Sequence, residues 1–94
     1  MYVVVVEFTI KAEFAVRFRE RVRQQAKDSL ALEPQCHVFD VCIDPARAEF
    51  VLLYEVYSER GAFDAHLGSA HFIDFDNTVS DWVDHKKVAC YERI

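Results

Sequence analysis

Strand-like runs, a helical period and turn chemistry at the joints predict an α+β domain of order β-α-β-β-α-β over residues 1–94. Tyr2–Ile10, Cys36–Ile43 and Glu49–Tyr57 are dense in β-branched and aromatic residues, as strands require. From Ala12 to Leu32, apolar residues instead return every four positions among charged ones, the mark of a helix lying on a core. This is the split βαβ arrangement of ferredoxin-like folds, a four-stranded antiparallel sheet with its helices on one face.

Tyr2-Val-Val-Val-Val-Glu-Phe-Thr-Ile10 reads as a strand buried on both faces. Phe14, Phe18, Val22, Ala26 and Leu30 form the inward line of the first helix, with Ala15 alongside, and Glu33-Pro34 stops it. Asp44-Pro45-Ala46-Arg47 puts proline at the favoured second position of a turn, so the flanking strands form a hairpin. Ser58 is the expected N-cap of a short helix through Ala62, Phe63, His66 and Leu67, which Gly68 ends. Ser69 caps a further helix in which Phe72, Phe75, Val79 and Trp82 or Val83 repeat at helical spacing. Lys87–Ile94 alternates weakly and is read as the fourth strand.

Composition narrows the function classes. The 94 residues make one domain, 52% apolar and 29% charged, with only two glycines and two prolines, so disorder is not indicated. A net charge of −5 argues against nucleic-acid binding, which needs a basic surplus. Arg17, Arg19, Arg21 and Arg23 are the local exception, and with Glu13, Glu20 and Asp28 interleaved they read as a solvated helix face. Cys36, Cys42 and Cys90 are odd in number and match no metal-site spacing; they read as buried small hydrophobes in a reducing compartment. No signal peptide or membrane span is visible, so a soluble, cytoplasmic protein without a membrane partner is expected. A chain of this length buries only about 60–65% of its unfolded surface. Its strands carry more apolar side chains than one helical layer can cover, so a homodimer formed through the sheet faces is expected.

Tyr54-Glu55-Val56-Tyr57-Ser58 followed by Ala62-Phe63-Asp64-Ala65-His66-Leu67-Gly68-Ser69-Ala70-His71-Phe72 resembles the antibiotic biosynthesis monooxygenase family of dimeric αβ-barrel proteins. The family pattern there is a Glu near a strand end, an aromatic, a short helix, Ala-His-Leu, small or polar residues, then His with an apolar neighbour. Val6-Glu7 and the element order extend the resemblance over essentially the whole chain, and the similarity runs toward quinol monooxygenases and the autoinducer-degrading isomerase. The resemblance implies a dimeric barrel and a small-molecule substrate. Haem-degrading relatives carry a Trp where this chain has His66 and an iron-ligating His about where it has Asp76, which disfavours haem chemistry.

His66 and His71 are the leading catalytic candidates. His66 shares an inward helix face with Ala62 and Phe63 and sits at a helix C-terminus, whose dipole favours imidazolium; His71 sits just inside a helix N-terminus, which favours the neutral ring. Two such environments push two pKa values apart, as acid and base roles require. The bland alternatives are a carbonyl-capping His66 and a surface His71. Glu55, in the otherwise apolar Phe50–Tyr54 run, needs a partner: it orients His66, acts as a base, or forms a structural ion pair. Glu7 follows the same logic, and the resemblance implies that it faces the pocket. Tyr57 shares the face of Glu55 and walls a substrate or packs an interface; Phe39, Phe63, Phe72 and Phe75 are core first and pocket wall second. No histidine pair has the helical four-residue ligand spacing, so no metal is expected.

The resemblance, together with the lack of any glycine-rich dinucleotide fingerprint, implies a cofactor-independent monooxygenase acting on a quinol or similar electron-rich small aromatic. Isomerisation of a small hydroxyketone by the same base is the near alternative, and a non-catalytic ligand-binding module the distant one.

Overall fold

The computed structural model describes residues 1–94. In chain order the elements are β1 (Tyr2–Ile10), a 3-10 turn (Ala12–Phe14), α1 (Ala15–Leu32), β2 (Cys36–Ile43), β3 (Phe50–Tyr57), α2 (Arg60–Leu67), α3 (Ala70–Val79), a second 3-10 turn (Ser80–Trp82) and β4 (Val83–Glu92). The sheet order is β2-β3-β1-β4 with every pair antiparallel. The most apolar strands, β1 and β3, therefore take the two central places, and the α+β ferredoxin-like arrangement is confirmed.

Alternation assigns the faces. The pairs Val4↔Glu55, Val6↔Leu53 and Phe8↔Val51 put these side chains on one face of the sheet. There they meet Phe18 and Val22 of α1 and Phe75 and Val79 of α3 in a single core. Each such large side chain withdrawn from water contributes about 1.5–3 kcal/mol. β1 is thus buried mainly on one face, not on both. On its other face Val3 is buried, while Val5, Glu7 and Thr9 are half-buried to exposed.

The inward line of α1 differs from the expected one. Ala15, Phe18, Val22, Gln25, Ala26 and Ser29 are buried, whereas Leu30 is 46% exposed. A step of four residues overshoots a helical turn by about 40°. A line begun at Phe14 has therefore rotated off the core by Leu30, and Gln25 and Ser29 occupy the space instead. Polar side chains thus enter the interior at the end of the helix nearest the candidate site.

The hairpin tip lies where expected. Asp44 Oδ1 accepts from Ala46 N at 2.8 Å and Arg47 N at 3.2 Å, an Asx-type turn between the neighbouring β2 and β3. Ser69 caps α3 by accepting from Phe72 N at 3.3 Å. Ser58 does not cap α2: Glu59 takes that position without a side-chain bond, and Ser58 Oγ is held 2.6 Å from His37 Nε2. β4 begins at Val83, four residues before the expected Lys87, because Asp84-His85-Lys86 conceal an edge strand whose ladder to Thr9 and Phe8 needs no apolar pattern. Cys36 is buried, but Cys42 and Cys90 are exposed, against the expectation for all three. Arg17 and Arg23 face solvent, whereas Arg21 packs over Phe75 at 5.4 Å and pairs with Asp74 at 3.0 Å, tying α1 to α3. No helix is long and apolar enough to cross a membrane.

Candidate active site

Two chain breaks bring the site together. Pro34 forces Glu33 out of the helix into an extended conformation, φ −115° and ψ 100°, which turns its side chain from the α1 axis. His66 stands in the last turn of α2 and His71 in the first turn of α3, separated by Gly68-Ser69. The Ser69 hydroxyl donates to His66 O at 2.7 Å while accepting from Phe72 N, so one side chain fastens the end of α2 to the start of α3.

Both imidazoles converge on one carboxylate oxygen. His66 Nδ1 lies 2.7 Å from Glu33 Oε2 in a hydrogen bond. His71 Nε2 lies 2.7 Å from the same oxygen, without the alignment of a hydrogen bond. On its far side, His71 Nδ1 is 3.1 Å from Gln25 Nε2. Gln25 is 1% exposed and its Oε1 has no partner. Ser29 Oγ donates to Gln25 O at 2.8 Å, completing a buried polar strip on α1.

Beneath the histidines, the Tyr57 hydroxyl donates to Glu55 Oε1 at 2.5 Å, and both residues are buried. Burial pushes the Glu55 carboxyl up to about 7, against the opposing pull of the Tyr57 hydrogen bond and the Lys86 charge. Burial also raises the Tyr57 phenol, helped by the Glu55 charge. The Cys36 thiol is pushed up to about 12, by burial first and then by Glu33 and Glu55. His66 is lowered by burial, which outweighs the Glu33 hydrogen bond and keeps the ring neutral near pH 7.

Between helices and sheet lies a cavity of about 30 Å³ walled by Phe39, Glu55, Phe63, His66, Phe72 and Phe75, with Leu67 and Lys86 also at its edge. A single water needs about 10–15 Å³ of such space, so the cavity holds water but not an aromatic ring. His71 stands behind Glu33 and does not line the cavity. Tyr57 packs under the Phe63 and His66 rings, 5.4 and 5.5 Å between centroids, and likewise stays out of it. Glu7 departs from expectation: its side chain is exposed on the opposite sheet face, in an open groove with His85 and Lys87, because alternation in β1 gives the inward places to Val6 and Phe8. Glu55 departs in partner, being bonded to Tyr57, while Glu33 orients His66.

Three site residues escaped the sequence reading. Glu33 looked only like a helix stop. Gln25 was detectable as a polar residue on an inward helix face. Lys86 was hidden by the late start assigned to β4. The sequence holds no metal-ligand spacing, but Glu33, His66 and His71, which come from three elements, bring their donor atoms within 4.8 Å of one another.

The sequence profile described as "Antibiotic biosynthesis monooxygenase" matches residues 1–77. The chain belongs to this family. A solved structure from Nitrosomonas europaea, named for the antibiotic biosynthesis monooxygenases, is 29% identical, covers 100% of this chain and 99% of its own, and superposes with a TM-score of 0.95. A Deinococcus radiodurans structure named for the same family is 21% identical, with 100% and 93% coverage and a TM-score of 0.91. A Mycobacterium tuberculosis protein, 19% identical with 99% and 94% coverage, shares the fold at a TM-score of 0.89. No curated protein matches the sequence.

Proposed function

We propose that this antibiotic biosynthesis monooxygenase family member oxygenates a quinol or similar electron-rich phenol without a cofactor. The observation that supports the reading is the Glu33–His66 hydrogen bond. By holding the proton on Nδ1, it leaves a lone pair on Nε2, which makes no hydrogen bond within the chain, on a ring that walls the aromatic cavity. A general base oriented by a carboxylate behind it is a recurrent catalytic device. Nε2 takes the phenolic proton, the Lys86 ammonium at the cavity edge offsets the phenolate charge, and the Phe rings exclude water. The electrons come from the substrate: quinol and O₂ give hydroxyquinone and water, one oxygen atom entering each product. A ring is larger than the present cavity, so substrate entry requires the half-exposed Leu67 and the Lys86 side chain to swing aside. In an oxygen-uptake assay with a quinol panel, at least one quinol should consume O₂ in step with hydroxyquinone formation.

The raised Glu55 carboxyl favours one second reading. An acid near pH 7 and a base on the same cavity suffice to move a proton between neighbouring carbons of a hydroxyketone. Deuterium entering a hydroxyketone from D₂O, without oxygen uptake, would replace the first reading with this one. Ligand binding with neither reaction would leave a binding module.

The functional unit in this reading is a cytoplasmic homodimer, with the three unpaired thiols kept reduced. On the sheet face away from the helices, Val5 and Leu52 are half-buried and Tyr54 is exposed, and no helix covers them. Sedimentation at micromolar concentration should give twice the 11.0 kDa chain mass, and Tyr54→Glu should shift it to the monomer. A wild-type monomer would refute the dimer.

A further inference from the structure

The convergence of two imidazoles on one oxygen is more than a base needs. Orienting His66 requires one carboxylate contact; His71 adds a second nitrogen at the same 2.7 Å, without the alignment of a hydrogen bond. Behind it, Gln25 is buried with its own Oε1 unpartnered. We propose that Glu33 Oε2, His66 Nδ1 and His71 Nε2 bind a divalent transition-metal cation of the zinc type, with Gln25 orienting His71.

The donor set decides the class of cation. Two imidazole nitrogens and one carboxylate oxygen suit zinc and its first-row neighbours, whereas magnesium and calcium take oxygen ligands. Zinc–ligand bonds of about 2.0–2.2 Å in a tetrahedral site put donor atoms about 3.3 Å apart, so the Glu33 oxygen must draw back from each imidazole nitrogen by about 0.6 Å. Glu33 can supply that movement. It is the most exposed of the three, at 16%, and stands at a helix end beside an open groove of about 490 Å³ that gives a route from solvent. Three protein donors leave a coordination position for water or another ligand.

Gln25 supplies the outer partner that a ligating histidine needs. With its amide nitrogen toward His71 Nδ1, the imidazole proton sits on Nε2 and Oε1 is left without a donor. A half-turn of the amide gives Oε1 the Nδ1–H and points the Nε2 lone pair at Glu33. A cation on His66 Nδ1 also moves that ring's remaining proton to Nε2. Metal binding and proton abstraction by His66 therefore exclude each other, and Zn²⁺ acts as an inhibitor of turnover; this last consequence rests on the monooxygenase reading, while the binding does not.

The test is calorimetric titration of the chelator-treated full chain with Zn²⁺, alongside Co²⁺ followed by visible absorption. One Zn²⁺ should bind per chain at micromolar concentration and raise the melting temperature. Gln25→Ala should weaken binding about 10–100-fold. His71→Gln, at a residue only partly buried, should weaken it further while circular dichroism remains native. A Cys42→Ser/Cys90→Ser variant, lacking both exposed thiols, should bind as the wild type does. Undiminished affinity in folded His71→Gln, or loss of binding in the cysteine variant, would place the metal elsewhere and overturn the proposal. So would failure to bind at millimolar Zn²⁺.

Discussion

Glu33→Gln should lower kcat by about 10²–10⁴-fold, while the chain remains folded. Glutamine can offer an N–H where the carboxylate accepted one, and His66 answers by turning Nδ1 into an acceptor and placing its proton on Nε2. The ring keeps its place and loses its basic lone pair. Glu33 acts through His66 and is a positioning residue, so the loss should fall on kcat with little change in KM, and Glu33→Asp should recover part of it. His66→Ala should cost at least as much. The measurement is the steady-state rate with the quinol that gives the fastest oxygen uptake, over a pH series. Turnover within threefold of wild type in a folded Glu33→Gln protein would remove the Glu33–His66 couple from the mechanism.

The same residue shows where sequence reasoning stops. The strand runs, the Asp44-Pro45 turn and the Ser69 cap encode local structure in local residues, and each lies where the pattern put it. His66 was visible because helical spacing puts it beside Ala62 and Phe63. Glu33 was not, because its role depends on how far Pro34 turns the chain and on two histidines more than thirty residues away. Gln25 and Ser29 broke the apolar period of α1, and a four-residue step hid them by running to Leu30 instead. Lys86 was lost with the first residues of β4, whose pairing is dictated by its neighbour β1 and not by its own composition. Glu7 shows the limit of resemblance, since alternation in β1 sends that side chain to the opposite face.

Glu55→Gln should stabilise the protein at alkaline pH and flatten its pH dependence. Glu55 has a folded pKa raised from 4.5 to about 7 by burial. Between those values the native state holds a proton that the unfolded chain has released. Stability is therefore full below 4.5, falls as pH rises toward 7 and levels off above it. The loss is of order 3 kcal/mol, about 10 °C or more in Tm for a domain this small. Lys86 and Tyr57 oppose the loss and Glu33 adds to it. Glutamine keeps an acceptor for the Tyr57 hydroxyl without the buried charge. His66 has the opposite sign: its folded pKa is lowered from 6.5, so its contribution is lost as pH falls below that value, and this acid-side slope should survive in the variant. Thermal melts from pH 4 to 9 are the check. A wild-type Tm that does not fall from pH 5 to 8 more than that of Glu55→Gln would contradict the assignment.

Cys36 completes the acidic floor with Glu33, Glu55 and Tyr57, and its place there bears on chemical durability. Thiols react with peroxide as thiolates, and raising the pKa from 9 to about 12 leaves Cys36 about a thousandfold poorer in thiolate than an unperturbed cysteine. In the monooxygenase reading proposed above, Cys36 is thus held in its inert form. Oxidative wear falls first on Cys90, exposed on the edge strand β4, where sulfenic acid forms without disturbing the packed interior.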